Sequence, residues 1–252
     1  MGQYVERPYN IAIVGAASGI GRAAAEALAA EGARIACLDS NIEGAGETVA
    51  TITGGGQKAK AYRLDVTDSA GVAATMAKIF GEVGQLHGLV NCAGITGITN
   101  IKGHEVDLED FDRVYRINLR GALVVSQAVL PAMLERGFGR ILHVASIAGK
   151  EGNAGMTAYS ATKAGLIGLV KSLAKDYAES GVTINALAPA VIRTPLVDAL
   201  PEATVKYMTD KIPMRRCGEL AEVASLIAWI VSPACSFTTG FTFDLSGGRA
   251  TY

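Results

Sequence analysis

Short apolar runs alternate along this chain with longer stretches in which apolar residues recur every three or four positions. The runs at 10–14, 34–38, 58–64, 86–91, 140–145, 182–188 and 241–245 are mostly rich in Val, Ile and Leu, the pattern of strands buried on both faces. Between them the apolar period predicts helices near 20–31, 42–53, 68–83, 107–136, 156–179 and 219–231. Strand and helix alternate throughout, so the expected class is α/β: a doubly wound parallel sheet of about seven strands with helices on both faces. Gly54-Gly55-Gly56 closes the second helix, and Gly181 precedes a strand where a helix C-terminus is due. No repeat, low-complexity tract or linker divides the chain, and residues 1–252 read as one domain.

Two predicted helices are apolar on several sides. One carries Val114, Ile117, Leu119, Leu123, Val124, Val125, Val129 and Leu130; the other Ala161, Ala164, Gly165, Leu166, Ile167, Gly168, Leu169 and Val170. A helix apolar all round has to be covered all round. One face covers the sheet, which leaves the other for a second copy of the chain, and Gly165 and Gly168 permit close backbone approach. A homo-oligomer is expected, a tetramer or a dimer.

Composition narrows the classes. Of 252 residues 50% are hydrophobic and 30 are glycine, a globular composition with many tight turns. The formal net charge is −1 with no long run of one sign, which argues against nucleic-acid and anionic-membrane partners. No apolar stretch reaches the roughly 18 residues of a membrane span. The polar start lacks the apolar run of a secretory signal. Cys37, Cys92, Cys217 and Cys235 are scattered and unpaired in spacing, and His87, His104 and His143 are not clustered. A reduced cytoplasmic setting fits, and no metal site is expected.

The first strand runs into Gly15-Ala16-Ala17-Ser18-Gly19-Ile20-Gly21, and a helix follows. Strand, glycine turn and helix N-terminus together make a phosphate site: glycines let a pyrophosphate approach the backbone, and unpaired N–H groups face it. The spacing is G-x-x-x-G-x-G rather than the common G-x-G-x-x-G. A packing role for the glycines is the plainer alternative. Asp39 ends the second strand a little over twenty residues past Gly15. A carboxylate there accepts hydrogen bonds from ribose hydroxyls and repels a 2′-phosphate, unless it only caps the next helix. Ser18, Ser40 and Asn41 are not basic, and Arg22 is the one nearby cation. The cofactor expected is NAD rather than NADP.

Tyr159 and Lys163 stand four residues apart, on one face of a helix, with Ser146 thirteen residues upstream. A free tyrosine ionises near pH 10, and a fixed positive charge about 4–6 Å away lowers that value. A phenol tuned in this way takes a proton from an alcohol, with a serine hydroxyl on the same oxygen. A surface pair is the bland alternative.

Taken in order, these pieces resemble the classical short-chain dehydrogenase/reductase family over almost the whole chain. The matching segments are Gly15, Gly19 and Gly21; Asp65-Val66; Asn91-Cys92-Ala93-Gly94; Asn118; Ser146; Tyr159 and Lys163; and Pro189-Ala190-Val191-Ile192-Arg193-Thr194-Pro195. The resemblance implies a single Rossmann-type domain with a substrate lid around 190–217. It implies Tyr159 as acid/base, Ser146 on the reacting oxygen, Lys163 on the nicotinamide ribose and Asn118 holding a water in the proton path. It further implies Asp65 and Val66 at the adenine, Asn91, Ala93 and Gly94 on the cofactor floor, and Val191 and Thr194 at the carboxamide, with Pro189 also in the cofactor-binding set. Val14, Cys92, Ala190 and Ser246 depart from the family's Thr, Asn, Gly and Asp without removing a group the chemistry needs.

The lid segment mixes Leu196, Val197, Leu200, Val205, Tyr207 and Met208 with Arg193, Asp198, Glu202, Lys206 and Lys211, which is polar for a lipid site. Before Tyr159 lie Lys150, Glu151, Asn153 and Met156. With Ser146 and Arg193 they form the candidate substrate set, Arg193 or Lys150 being the candidates for a substrate carboxylate. The chain also resembles bacterial dehydrogenases of sugar acids and polyols in the segment from Gly149 to Asn153 and in its ending from Ser246 to Tyr252. The expected reaction is hydride transfer between NAD and a sugar acid or polyol, for example a 2-keto-3-deoxy sugar acid such as L-2-keto-3-deoxyfuconate. Arg249 or Tyr252 is expected near a neighbouring subunit's pocket. A 3-oxoacyl-thioester reductase is the first alternative, with Arg113, Arg116 and Arg120 as an acyl-carrier docking row. A dinucleotide-binding scaffold without turnover is the second.

Overall fold

A computed structural model describes residues 9–252. The polar start read above lies, over residues 1–8, outside the described residues.

Seven parallel strands form one sheet in the order β3-β2-β1-β4-β5-β6-β7. They are β1 (Asn10–Val14), β2 (Arg34–Asp39), β3 (Ala59–Arg63), β4 (Gly88–Asn91), β5 (Gly139–Val144), β6 (Val182–Pro189) and β7 (Thr242–Leu245). All seven predicted strands are present, with ends shifted by a residue or two. The order grows outward from β1 in both directions, so the chain reverses its winding between β1 and β4. In open α/β sheets, ligands bind in the crevice at such a switch point.

The alternation of side chains across each strand builds two cores. In β1, Ile11 and Ile13 point to one layer and Ala12 and Val14 to the other, all four almost fully buried. The Ile13 layer packs on α1 (Gly19–Ala30), α2 (Ile42–Gly54) and α10 (Leu220–Ile230). The Val14 layer packs on α3 (Ser69–Val83), α5 (Gly121–Arg136) and α7 (Thr157–Asp176). Each fully buried Ile or Leu contributes about 1.5–3 kcal/mol relative to exposure. Local chemistry sets the helix ends. Asn41 accepts from the Gly44 N–H at the start of α2, and Asp68 from the Gly71 N–H at the start of α3. Gly137 closes α5 in the left-handed region at φ 65°.

The long helix predicted over 107–136 is three pieces: α4 (Leu108–Tyr115), a π-helical turn (Arg116–Arg120) and α5. By length and composition the whole stretch Leu108–Arg136 could cross a membrane, contrary to the reading of the sequence, but half of its most apolar window is buried inside the fold. It is a core helix, with Val125, Val129 and Met133 fully enclosed. The expected lid helix near 196–210 is likewise divided, into α8 (Pro195–Asp198) and α9 (Glu202–Asp210), with Pro201 at the N-cap of α9. A short α6 (Ala148–Glu151) precedes α7.

Candidate active site

A cleft of about 800 Å³ opens at the C-terminal edge of the sheet, between the ends of β1 and β4. Of the expected cofactor set, Gly15, Ser18, Gly19, Ile20, Gly21, Asp39, Asp65, Val66, Ala93, Gly94 and Thr194 line it. Asn91 is buried beneath it, its carbonyl oxygen accepting the Ala93 N–H at 3.2 Å. Pro189 and Val191 are outside the lining and hold neighbouring loops through their carbonyls, which accept from Ile147 and Gly218 N–H.

Only glycine fits the turn after β1. Gly15 has φ +84°, and a Cβ there would lie 2.9 Å from the Ala93 nitrogen; at Gly21 it would lie 2.0 Å from the Gly15 carbonyl oxygen. The loop therefore presses backbone on backbone and leaves room in front of the α1 N-terminus, which has no acidic residue in its first turn and no side-chain cap. A pyrophosphate fits such a cradle, since it brings its own negative charge to those N–H groups.

Asp39 anchors the rim of the cleft. Its carboxylate accepts from the Ala17 N–H and from the Asn41 N–H, both at 2.9 Å. The nearby Arg22 also lines the cleft but is engaged. Its guanidinium donates to the Ala17 carbonyl at 2.7 Å and pairs with Glu47 at 2.8 Å. The loop rim thus offers an adenosine ribose a fixed carboxylate; of the cations beside it, Arg22 pairs with Glu47 and Arg63 donates to the Ser40 carbonyl at 3.2 Å.

Ser146, Tyr159, Lys163 and Asn118 converge beside the inner end of the cleft. Ser146 follows β5, and its oxygen accepts the Ala148 N–H at 3.1 Å, which fixes its rotamer. Tyr159 and Lys163 sit on one face of α7, the Lys163 nitrogen 5.7 Å from the centre of the phenol ring. Lys163 is almost completely buried and donates to the Val144 carbonyl at 2.7 Å. A Cβ on Gly94 would come within 3.3 Å of its nitrogen, so glycine at 94 keeps the amine open to the cleft. Burial pushes the Lys163 amine down to about 8.

The electrostatics differ from the expectation in one respect. Burial raises the Tyr159 phenol above its ordinary value, and the hydrogen bond with Ser146 works the other way. The amine lies over the ring and donates to the Val144 carbonyl. Asn118 lies in the π-helical turn, fully buried. Its amide exchanges two 2.8 Å bonds with the Ile95 backbone and donates to Thr162 Oγ1 at 3.2 Å, and that hydroxyl donates to the Tyr159 carbonyl. The π-turn reorients one residue of a continuous helix so that a single amide links the loop after β4 to the helix carrying the phenol.

The substrate set is only partly gathered. Lys150 pairs with Asp244 at 2.7 Å and also contacts the Tyr252 carbonyl. Glu151 pairs with Arg249 at 2.8 Å, and Asn153 accepts from the same guanidinium at 3.0 Å. These side chains face the C-terminal tail of their own chain, so Arg249 and Tyr252 are engaged within the subunit. Met156 is the N-cap residue of α7. Arg193 is half exposed and held only loosely, 3.7 Å from Asp198 and 3.8 Å from Glu219. Sequence reasoning missed the Glu47 partner of Arg22 and the Thr162 link. Neither has a local signal, since the first joins positions 25 apart and the second 44 apart.

A switch-point cleft with a glycine cradle, beside a half-buried Tyr and a buried Ser, Lys and Asn, defines a dinucleotide-dependent oxidoreductase. A family model described as enoyl-(acyl carrier protein) reductase matches residues 15–250. The chain is 44% identical over 240 residues to a 2-dehydro-3-deoxy-L-rhamnonate dehydrogenase (NAD(+)) of Sphingomonas sp. (strain SKA58), covering 95% of this chain and 94% of the relative. It is 37% identical to a 3-oxoacyl-(acyl-carrier-protein) reductase of Thermotoga maritima, covering 94% of this chain and 95% of that one. The crystal structure of gox2181 superposes with a TM-score of 0.93 at 30% identity, over 98% of this chain and 97% of that one. That of levodione reductase superposes with a TM-score of 0.91 at 32% identity, over 97% and 98%. The chain belongs to the short-chain dehydrogenase/reductase family.

Proposed function

We propose that this protein is an NAD-dependent dehydrogenase that oxidises a secondary alcohol of a sugar acid or polyol, a 2-keto-3-deoxy sugar acid being the specific candidate. The observation that carries the cofactor choice is the rim of the cleft: Asp39 is fixed by two backbone N–H groups and Arg22 is neutralised by Glu47. A 2′-phosphate would meet a carboxylate there, with Arg22 engaged by Glu47 and Arg63 by the Ser40 carbonyl. The 44% identical relative, whose name specifies NAD(+) and a 2-dehydro-3-deoxy sugar acid, supports the same reading.

Bound NAD supplies the hydride acceptor. The glycine turn and the α1 N-terminus hold its pyrophosphate, Asp39 its adenosine ribose, and Ala93, Gly94 and Thr194 flank the rest of the cleft. Tyr159 takes the hydroxyl proton of the alcohol at its phenolic oxygen. Ser146 holds the same oxygen, and its hydrogen bond opposes the upward push of burial on the phenol. Lys163, with its nitrogen open toward Gly94, orients the nicotinamide ribose. Asn118 keeps the loop after β4 and α7 in register. General acid–base help of this kind contributes about 10²–10⁴-fold. Arg193 is the least committed cation of the expected substrate set and is assigned the substrate carboxylate.

The acyl-carrier reading has weaker support. Arg113 and Arg116 pair with Asp110 and Asp112, so the basic row of α4 is largely offset. The four cysteines are free, as a reducing cytoplasm would keep them. A homo-oligomer is supported by Gly168, above which there is open space on α7, and by the exposed Phe237 and Phe241 near the β7 edge. The deciding experiment assays sugar acids, polyols and acyl thioesters with NAD and NADP, followed by nicotinamide absorbance. NAD reduction by a sugar acid is expected. Activity confined to acyl thioesters with NADPH would overturn the proposal.

A further inference from the structure

His143 is the penultimate residue of β5, with no exposed surface, outside the cleft lining and outside the catalytic group. Both ring nitrogens are engaged. Nδ1 is 3.2 Å from the Asn91 amide nitrogen, and Nε2 is 2.9 Å from the Ser126 oxygen. Ser126 donates to the Ala122 carbonyl at 2.8 Å, and Asn91 accepts the Ala93 N–H at 3.2 Å. Asn91, Ser126 and His143 are each at most 2% exposed, so water does not complete any of these bonds.

The polarity of this chain of bonds is forced from one end. The Ala93 N–H can only donate, so the Asn91 oxygen faces it and the Asn91 NH₂ faces His143. Nδ1 must then be the acceptor and Nε2 the protonated nitrogen. Nε2–H donates to Ser126, whose own proton goes to the Ala122 carbonyl. The opposite tautomer, or an imidazolium, would set an N–H against the Asn91 NH₂, or turn that NH₂ against the Ala93 N–H. Either leaves a buried donor unpaired, at about 1–3 kcal/mol. Burial and the nearby Lys163 charge push the imidazole down to about 3, in agreement with a neutral ring.

We propose that His143 is a positioning residue for dinucleotide binding: as its Nε2–H tautomer it locks the Asn91 amide, which holds the Ala93-Gly94 turn against the cofactor cleft. The link to the cleft is short. A Cβ on Gly15 would lie 2.9 Å from the Ala93 nitrogen, so the glycine cradle rests on the peptide that Asn91 restrains. Ala93 and Gly94 both line the cleft. If Asn91 turned, the Ala93 N–H would lose its acceptor and the floor would shift under the bound cofactor. This inference rests on the dinucleotide reading of the cleft.

The test uses the intact enzyme, with NAD as the ligand. In ¹⁵N-imidazole spectra, the signal lost in His143→Phe is expected to be the Nε2–H tautomer at every pH from about 5 to 9. In Asn91→Asp the carboxylate accepts from both sides, so Nδ1 of His143 is expected to become protonated. His143→Phe is expected to weaken NAD binding about tenfold, by titration of the folded protein, and to raise KM for NAD more than it lowers kcat. A wild-type Nδ1–H tautomer, an unchanged tautomer in Asn91→Asp, or unaltered NAD affinity in His143→Phe would overturn the proposal. If His143→Phe does not fold, the wild-type and Asn91→Asp spectra decide. Failure of the wild-type enzyme to bind NAD would overturn the cofactor reading itself, which the tautomer measurements do not depend on.

Discussion

Lys163 stands beside the ring of Tyr159, its nitrogen 5.7 Å from the ring centre, while its hydrogen bond goes to the Val144 carbonyl. The amine is thus fixed by the end of β5, one residue past His143 and two before Ser146, and keeps its place whichever state the phenol is in. Tyr159→Phe should lower kcat by about 10²–10⁴-fold and leave the dissociation constant for NAD within about twofold. Steady-state rates and cofactor titration on one preparation check this; near-normal turnover would remove Tyr159 from the acid/base role.

The same amine makes stability depend on pH. In the fold it loses its proton at about 8, against an ordinary value of 10.5. Between those values the unfolded chain binds the additional proton, so stability should rise with pH through that window and lose this contribution as pH falls through 8. Lys163→Met should flatten the slope. Urea unfolding of both proteins at pH 8 and pH 10 measures it, and equal slopes would show that the amine keeps its ordinary affinity for protons.

Cofactor preference should respond to the rim. Glu47→Gln frees the guanidinium of Arg22, and Asp39→Ser removes the opposing carboxylate. The double variant should shift the NADP to NAD ratio of kcat/KM by about tenfold or more toward NADP. Asp39→Ser alone should lower kcat/KM with NAD, since Asp39 also restrains the Ala17 N–H. A ratio that does not move would mean that the ribose is read elsewhere.

The tail should matter to the substrate more than to the cofactor. Arg249 is 8% exposed and holds Glu151 and Asn153, positions 98 and 96 residues away. Arg249→Met should cost about 1–2 kcal/mol, allowing for the partly solvated Glu151, and should raise KM for the sugar acid with KM for NAD unaltered. Thermal unfolding and separate KM measurements test it; an unchanged substrate KM would limit the tail to a structural role.

Much of the fold was legible because its signals are local. Val, Ile and Leu runs announced most strands, and the glycines at 54–56 and 181 fall after helices. Spacing also brought Tyr159 and Lys163 to one face of one helix. What escaped has no local signature. A π-turn at Asn118 leaves the apolar period of 107–136 almost intact, so the sequence looks like one helix. The pairs Lys150–Asp244 and Glu151–Arg249 join positions near 150 to the chain's end, and only the folded sheet brings them together. Those side chains, read as substrate contacts, are engaged by the tail. The direction of Lys163 depended on a backbone carbonyl, which no side-chain pattern encodes.

The contact at Gly21, where even a methyl group would collide with the Gly15 carbonyl, has a bearing on redesign. Gly15 and Gly21 therefore offer no handle for altering coenzyme selectivity. Laboratory evolution toward another nucleotide would have to draw its variation from Ser18 within the loop and from the rim formed by Arg22, Asp39, Ser40 and Glu47, and libraries that diversify Gly15 and Gly21 should return almost no folded clones.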